Sequence, residues 1–192
     1  MSPKNILVMA LAAFTAANAQ TAAAPVNVRI LVYDYAKLAG RPLTESLDQA
    51  ARALRHAGIE PEWCVGIAAI DECLAAGKRS GKPALQLNLL NERMAAKTFG
   101  ESRIFGIALR QDAYINVPRV QNLEQEGRFE AKMILGCVIA HELGHLLLGP
   151  NAHSRGSIMT ANLGDRELAQ AQYGTLRFSP NEAQRMRERL SR

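Results

Sequence analysis

His141, Glu142 and His145 lie within a run of apolar residues from Val138 to Leu148, at a spacing that suits metal chemistry. Residues four apart share one face of a helix, so the two imidazoles stand side by side at a separation one divalent ion can bridge. Glu142 lies beside that ion. It is read not as a ligand but as the base that takes a proton from a metal-bound water. Zinc fits this donor set best, because imidazole nitrogens suit it, the reaction needs no redox change, and three ligands leave a fourth position for water. The third ligand has to come from beyond the helix. Gly149 and Pro150 stop it, since glycine takes a backbone conformation closed to other residues and proline cannot extend the hydrogen-bond ladder. His153 follows in the loop. Gly156, Ser157, Ile158 and Met159 then read as a tight turn ending in a methionine that forms an apolar floor beneath the metal.

This arrangement resembles the metzincin clan of zinc peptidases, in which a His-Glu-x-x-His helix is followed by a glycine, a third histidine and a methionine turn. Ser154 after the third histidine and the ending Ser157, Ile158, Met159 are similar to matrixins. The chain departs from the clan in spacing, with three residues rather than two between His145 and Gly149 and again between Gly149 and His153. The resemblance implies a metzincin-like catalytic domain with zinc held by His141, His145 and His153, Glu142 as general base and Met159 in the Met-turn. It also implies that residues 104 to 110 form a sheet edge along which an extended peptide or protein substrate pairs. The expected activity is that of a zinc-dependent endopeptidase.

Two other readings keep the first two histidines. In one, a gluzincin-like peptidase, Asp165 or Glu167 is the third ligand. In the other the metal only stabilises a secreted binding protein without turnover, a role that leaves Glu142 beside the site without a purpose.

The N-terminus says where this chemistry takes place. Lys4, an apolar stretch from Ile6 to Ala17, and Ala17, Asn18, Ala19 as a small-residue cleavage site make residues 1–19 a signal peptide cut after Ala19. The expected location is secreted or periplasmic. The apolar stretch is short for a membrane span, and no stable membrane insertion is expected. Residues 1–19 carry one lysine and no acid, so the net charge of +5 for the 192-residue chain falls to about +4 in the remainder. That excess is mild. It comes without the dense Lys/Arg stripe and interleaved aromatics that a nucleic-acid binder needs. Residues 20–25 read as a flexible leader and 26–192 as one monomeric catalytic domain with a single core. Of three cysteines, Cys64 and Cys73 are the natural pair for a disulfide in an oxidising compartment, with two buried thiols as the alternative. Cys137, one turn before His141, reads as a small buried hydrophobe.

The elements that position the site follow from periodicity. Val26, Val28, Ile30 and Val32 alternate as a first strand, and a helix capped by Thr44 or Ser46 runs to about Ala57. Ile59 to Val65 is a second strand. Ile67 to Leu74 is a helical turn, followed by a basic loop from Gly77 to Pro83. Leu85, Leu87 and Leu89 mark a third strand, and 104–109 and 114–120 two more, joined by a hairpin. A long helix from Arg128 to Leu148 is apolar on nearly every side and therefore buried. Ser179, Pro180 and Glu182 form a capping box that opens a last helix. The expected fold is α+β: a mixed, mostly parallel twisted sheet of about five strands with an antiparallel edge strand, a buried active-site helix and a C-terminal helix. Tyr173 is expected to be half-buried.

Overall fold

Alternation of β-branched and polar residues makes Val26–Asp34 a strand (β1), and Ile30, Leu31 and Val32 in its centre are almost wholly buried. The computed structural model describes residues 24–38, 40–80 and 84–192. The signal peptide expected at 1–19 and residues 20–23 of the leader lie outside the described residues. After β1 come a helix at Arg41–His56 (α1), a strand at Ile59–Val65 (β2), a helix at Ile67–Ser80 (α2), a strand at Leu85–Leu90 (β3) and a helix at Glu92–Phe99 (α3). Two strands, Gly106–Leu109 (β4) and Asp112–Asn116 (β5), form a hairpin. Four helices complete the chain: Val117–Gln125 (α4), Ala131–Leu148 (α5), Asp165–Gln172 (α6) and Pro180–Leu190 (α7).

The five strands make one sheet in the order β2, β1, β3, β5, β4, parallel throughout except for the antiparallel β4–β5 pair at one edge. This is the mixed α+β architecture expected from the sequence. Successive side chains of a strand point to opposite faces. Val28, Ile30 and Val32 accordingly join the main core with α1, α5 and α7, whereas Leu31 packs with Cys64, Ile70 and Cys73 under α2. Cys64 and Cys73 are joined by a disulfide that ties β2 to α2, and Cys137 is a buried free thiol, pushed up to about 12 by burial. Pro61 sits on β2, the other edge of the sheet, where a missing N–H costs no ladder bond.

Helix α5 is the centre of the main core. It contacts β3, β4, β5 and the helices α1, α4, α6 and α7. Ile134, Ile139 and Leu143 are fully buried in it, each worth roughly 1.5–3 kcal/mol of transfer free energy. By length and composition it could cross a membrane, which was not expected of any segment beyond the N-terminus, but that apolar surface lies inside the fold. Gly136 allows α1 to come close, since a Cβ there would fall 2.7 Å from the Ser46 carbonyl oxygen.

Several local expectations are corrected. Helix α1 starts at Arg41 with Pro42 in its first turn, and the Thr44 and Ser46 hydroxyls do not cap it. They donate back to the carbonyls of Gly40 and Pro42, a bond open to any hydroxyl one turn into a helix. The strand expected at 114–120 ends at Asn116, whose side chain accepts from the Arg119 N–H and caps α4 with Pro118 in the first turn. The long helix begins at Ala131 rather than Arg128, after the turn that ends α4. Residues 77–80, expected in a basic loop, are the last turn of α2. Helices α3 and α6 were not expected at all.

Candidate metal centre

The apolar all-round character of α5 carries His141, Glu142 and His145 into the interior, where they are 8%, 5% and 9% exposed. The helix stops where the sequence requires. The Gly149 N–H closes the last turn onto the His145 carbonyl, and its φ of 104° lies in the region that favours glycine. Pro150 and Asn151 then carry the chain back so that His153 faces the helix. The Nε2 atom of His145 lies 3.0 Å from that of His141 and 3.0 Å from that of His153. Four-coordinate zinc with Zn–N bonds of about 2.0–2.1 Å would set its ligand nitrogens roughly 3.3 Å apart. The three histidines form a group whose donor atoms lie within 4.8 Å of one another.

Each helical imidazole is oriented from behind. His141 Nδ1 donates to the Ile158 carbonyl at 2.7 Å, and His145 Nδ1 to the Gly149 carbonyl at 3.2 Å. With Nδ1 carrying the proton, Nε2 keeps its lone pair toward the common centre, the arrangement typical of metal-binding histidines. Burial pushes His141 down to about 4 and lowers His145 too, so both rings are neutral at neutral pH. The two helical lone pairs, with the His153 ring nitrogen 3.0 Å from that of His145, converge on a point that suits an electropositive centre. The residues present therefore fit a soft-to-borderline divalent cation such as zinc.

Met159 is fully buried against the helix that carries the two histidines. A Cβ on Gly144 would fall 2.4 Å from the Met159 sulfur and 2.9 Å from the Phe178 ring, so the glycine between the two helical histidines is what admits the methionine. The turn that holds Met159 is itself pinned. The Ile158 N–H donates to the Arg177 carbonyl, the Met159 N–H to the Ser157 hydroxyl and the Ser154 N–H to the Met159 carbonyl. Beneath them lies Glu182, 5% exposed. Its Oε1 accepts from the Ser154 hydroxyl at 2.5 Å and the Ser157 hydroxyl at 3.0 Å, while Oε2 accepts from the Ser179 N–H at 2.7 Å. The capping box read from the sequence thus also ties α7 to the loop that bears His153 and Met159.

Glu142 points to the edge strand. A Cβ on Gly106 would fall 2.7 Å from the Glu142 carboxyl, so this glycine makes room for it. Burial pushes Glu142 up to about 8 in the metal-free protein. Glu142 and the three histidines open onto a cleft of about 460 Å³, walled by residues 103–109 on one side and 160–163 on the other.

Asp165 and Glu167 do not belong to the group. They begin α6, where Asp165 pairs with Arg128 and Glu167 lies against Gly164, while the third donor grouped with His141 and His145 is His153. Tyr173 is 80% exposed rather than half-buried and lies in a separate recess beside Gln49. Gly106, Gly144 and Glu182 are not marked for the site by the sequence, and Ser157 is marked only as part of the methionine turn, not as a partner of Glu182. The capping box was the one available signal for Glu182.

No family model matches the chain, and no curated protein matches it either. Among solved structures the chain is similar to a crystal structure of archaemetzincin from Methanopyrus kandleri. The two are 15% identical, with 88% of this chain and 97% of that chain covered at a TM-score of 0.48. A likeness of this strength assigns no role to any residue, and the site is read from its own geometry.

Proposed function

We propose that this chain is an exported zinc-dependent endopeptidase of the metzincin type. The observation that carries the reading is the convergence of three imidazole nitrogens beside a buried carboxyl in a cleft bordered by a sheet edge. His141, His145 and His153 would hold the ion. When bound, zinc supplies Lewis acidity to a carbonyl and a water, and a positive charge that returns a neighbouring carboxyl toward its ionised form.

The other roles belong to the chain. Glu142 accepts a proton from the attacking water and delivers it to the departing amine, as a general base and then a general acid. Strand β4 pairs with β5 on one side only, so its other edge offers N–H and C=O groups to an extended peptide. Met159 and Glu182 keep the His153 loop in place. Export is supported by the signal-peptide features of residues 1–19 and agrees with the Cys64–Cys73 bridge.

The test is cleavage of a peptide library by the zinc-loaded protein and by Glu142→Gln. The wild type should cleave and lose activity with chelator, and the variant should bind zinc while its turnover falls at least about a hundredfold. A wild type that binds zinc and cleaves no peptide would favour the non-catalytic reading. A fully active Glu142→Gln would remove the glutamate from the mechanism.

A further inference from the structure

The cleft carries a charge asymmetry that neither metal binding nor strand pairing requires. Among the side chains lining it, Arg103 is the permanent cation and Glu142 supplies the one carboxyl. Arg155 lines the recess that continues past His153, and Arg119 stands behind Phe105 with its guanidinium carbon 5.6 Å from the ring centroid. Among the described residues none of these three arginines has a carboxylate within 4.0 Å. The acid that follows the far wall, Asp165, is already paired with Arg128. Cations left without an internal partner around a concave surface focus a positive field into it.

From this we propose that the cleft selects peptides carrying an aspartate or glutamate within about three residues of the cleaved bond, with Arg103 as the specificity-determining residue. The inference rests on the peptidase reading. Arg103 precedes Gly106 by three residues, a span of at most about 10 Å of extended chain. Gly106 is the residue that abuts Glu142. A substrate strand laid along β4 advances roughly 3.3 Å per residue, so the same span is about three of its residues. Ile104 and Leu109, 44% and 54% exposed, are the exposed large apolar side chains on this wall, which also carries Phe105 and Ile107. The matching substrate segment is therefore apolar with an acid near the bond. A basic segment would meet an unpaired guanidinium and is disfavoured.

The experiment compares the zinc-loaded protein on matched decapeptides that differ only in Glu, Gln or Lys at each of the three positions on either side of the cleaved bond. At one or more positions kcat/KM should be about tenfold higher for Glu than for Gln, the factor a charge-assisted hydrogen bond supplies at a partly exposed site, and lower again for Lys. The ratio should shrink as salt is raised. Arg103→Ala should bring the Glu-to-Gln ratio close to one, and Arg103→Glu should invert the order in favour of Lys. Equal cleavage of all three peptides by the wild type, or a Glu preference that survives Arg103→Glu, overturns the inference and leaves the peptidase reading standing. Failure to cleave any peptide overturns the peptidase reading and the inference with it.

Discussion

Replacing Gly144 with alanine tests whether the glycine between the two helical histidines exists to admit Met159. The new Cβ would sit 2.4 Å from the Met159 sulfur and 2.9 Å from the Phe178 ring, and neither neighbour has room to retreat because Met159 is fully buried and Phe178 is 9% exposed. Overpacking of this kind costs about 1–3 kcal/mol, and alanine in place of a mid-helix glycine returns about 1 kcal/mol, so a net loss of up to roughly 2 kcal/mol is expected. In a domain of this size each kcal/mol corresponds to about 2–4 °C of melting temperature. Displacing Met159 also moves the turn whose Ile158 carbonyl holds His141 Nδ1, so zinc affinity should fall by about tenfold. Urea unfolding of the metal-free protein and zinc competition with a fluorescent chelator read the two effects separately. Gly136→Ala is the control: its Cβ would press on Gln49 and the Ser46 carbonyl, so it should destabilise the protein while leaving zinc affinity within about twofold. Adding Met159→Ala to Gly144→Ala should cost less than the two single losses summed, since the new methyl then occupies vacated space. The reasoning is refuted if Gly144→Ala leaves both stability and zinc affinity unchanged, or if Gly136→Ala weakens zinc binding as much.

Glu182→Ala should leave the Ser154 and Ser157 hydroxyls and the Ser179 N–H without their acceptor, destabilising the protein by about 2–4 kcal/mol and weakening zinc binding about tenfold, with Glu182→Gln recovering part of both. Unchanged zinc affinity in the alanine variant would show that α7 does not hold the His153 loop. In the metal-free protein the pH dependence of stability has a defined sign. Glu142 titrates near 4.5 when unfolded and about 8 when folded, so the folded state keeps a proton that the unfolded state has released, and stability falls as pH rises through that window. His141, lowered from 6.5 to about 4, and His145, also lowered, act oppositely, with stability lost as pH falls below 6.5. Between pH 6.5 and 8 Glu142 is the group among these whose protonation changes, so the unfolding free energy of metal-free wild type, read by urea, should decline over that range by up to about 2 kcal/mol, while that of Glu142→Gln stays flat. A decline of the same size in the variant would place its cause elsewhere.

The parts of this site that could be read from the chain are those encoded at short range. His141 and His145 share a helical face because of a four-residue spacing, the Gly149–Pro150 stop is local, and the Ser179–Glu182 capping box is a pattern within four residues. The strands of the parallel sheet were legible as alternating or continuous apolar runs, and the antiparallel edge followed from a short hairpin. Contacts between distant segments were not legible. Glu182 meets Ser154 and Ser157 across 28 and 25 residues, Gly106 abuts the Glu142 carboxyl, and Gly144 abuts Met159. Nothing local marks either glycine as the one whose missing Cβ matters. The start of helix α4 reads as strand because Val117 and Val120 prolong the apolar, β-branched run of β5. Asn116 followed by Pro118, an N-cap with proline in the first turn, was the signal that outranked it. Helix α6 was missed although Asp165 and Glu167 stand in its first turn, because both acids were weighed as metal ligands.

Metal analysis of the purified protein and of the single variants His141→Ala, His145→Ala and His153→Ala addresses the three-histidine centre most directly. One zinc per chain in the wild type, and loss of tight binding in each of the three variants, is the expected result. Full zinc occupancy in His153→Ala, or no zinc in the wild type after loading and dialysis, would contradict it.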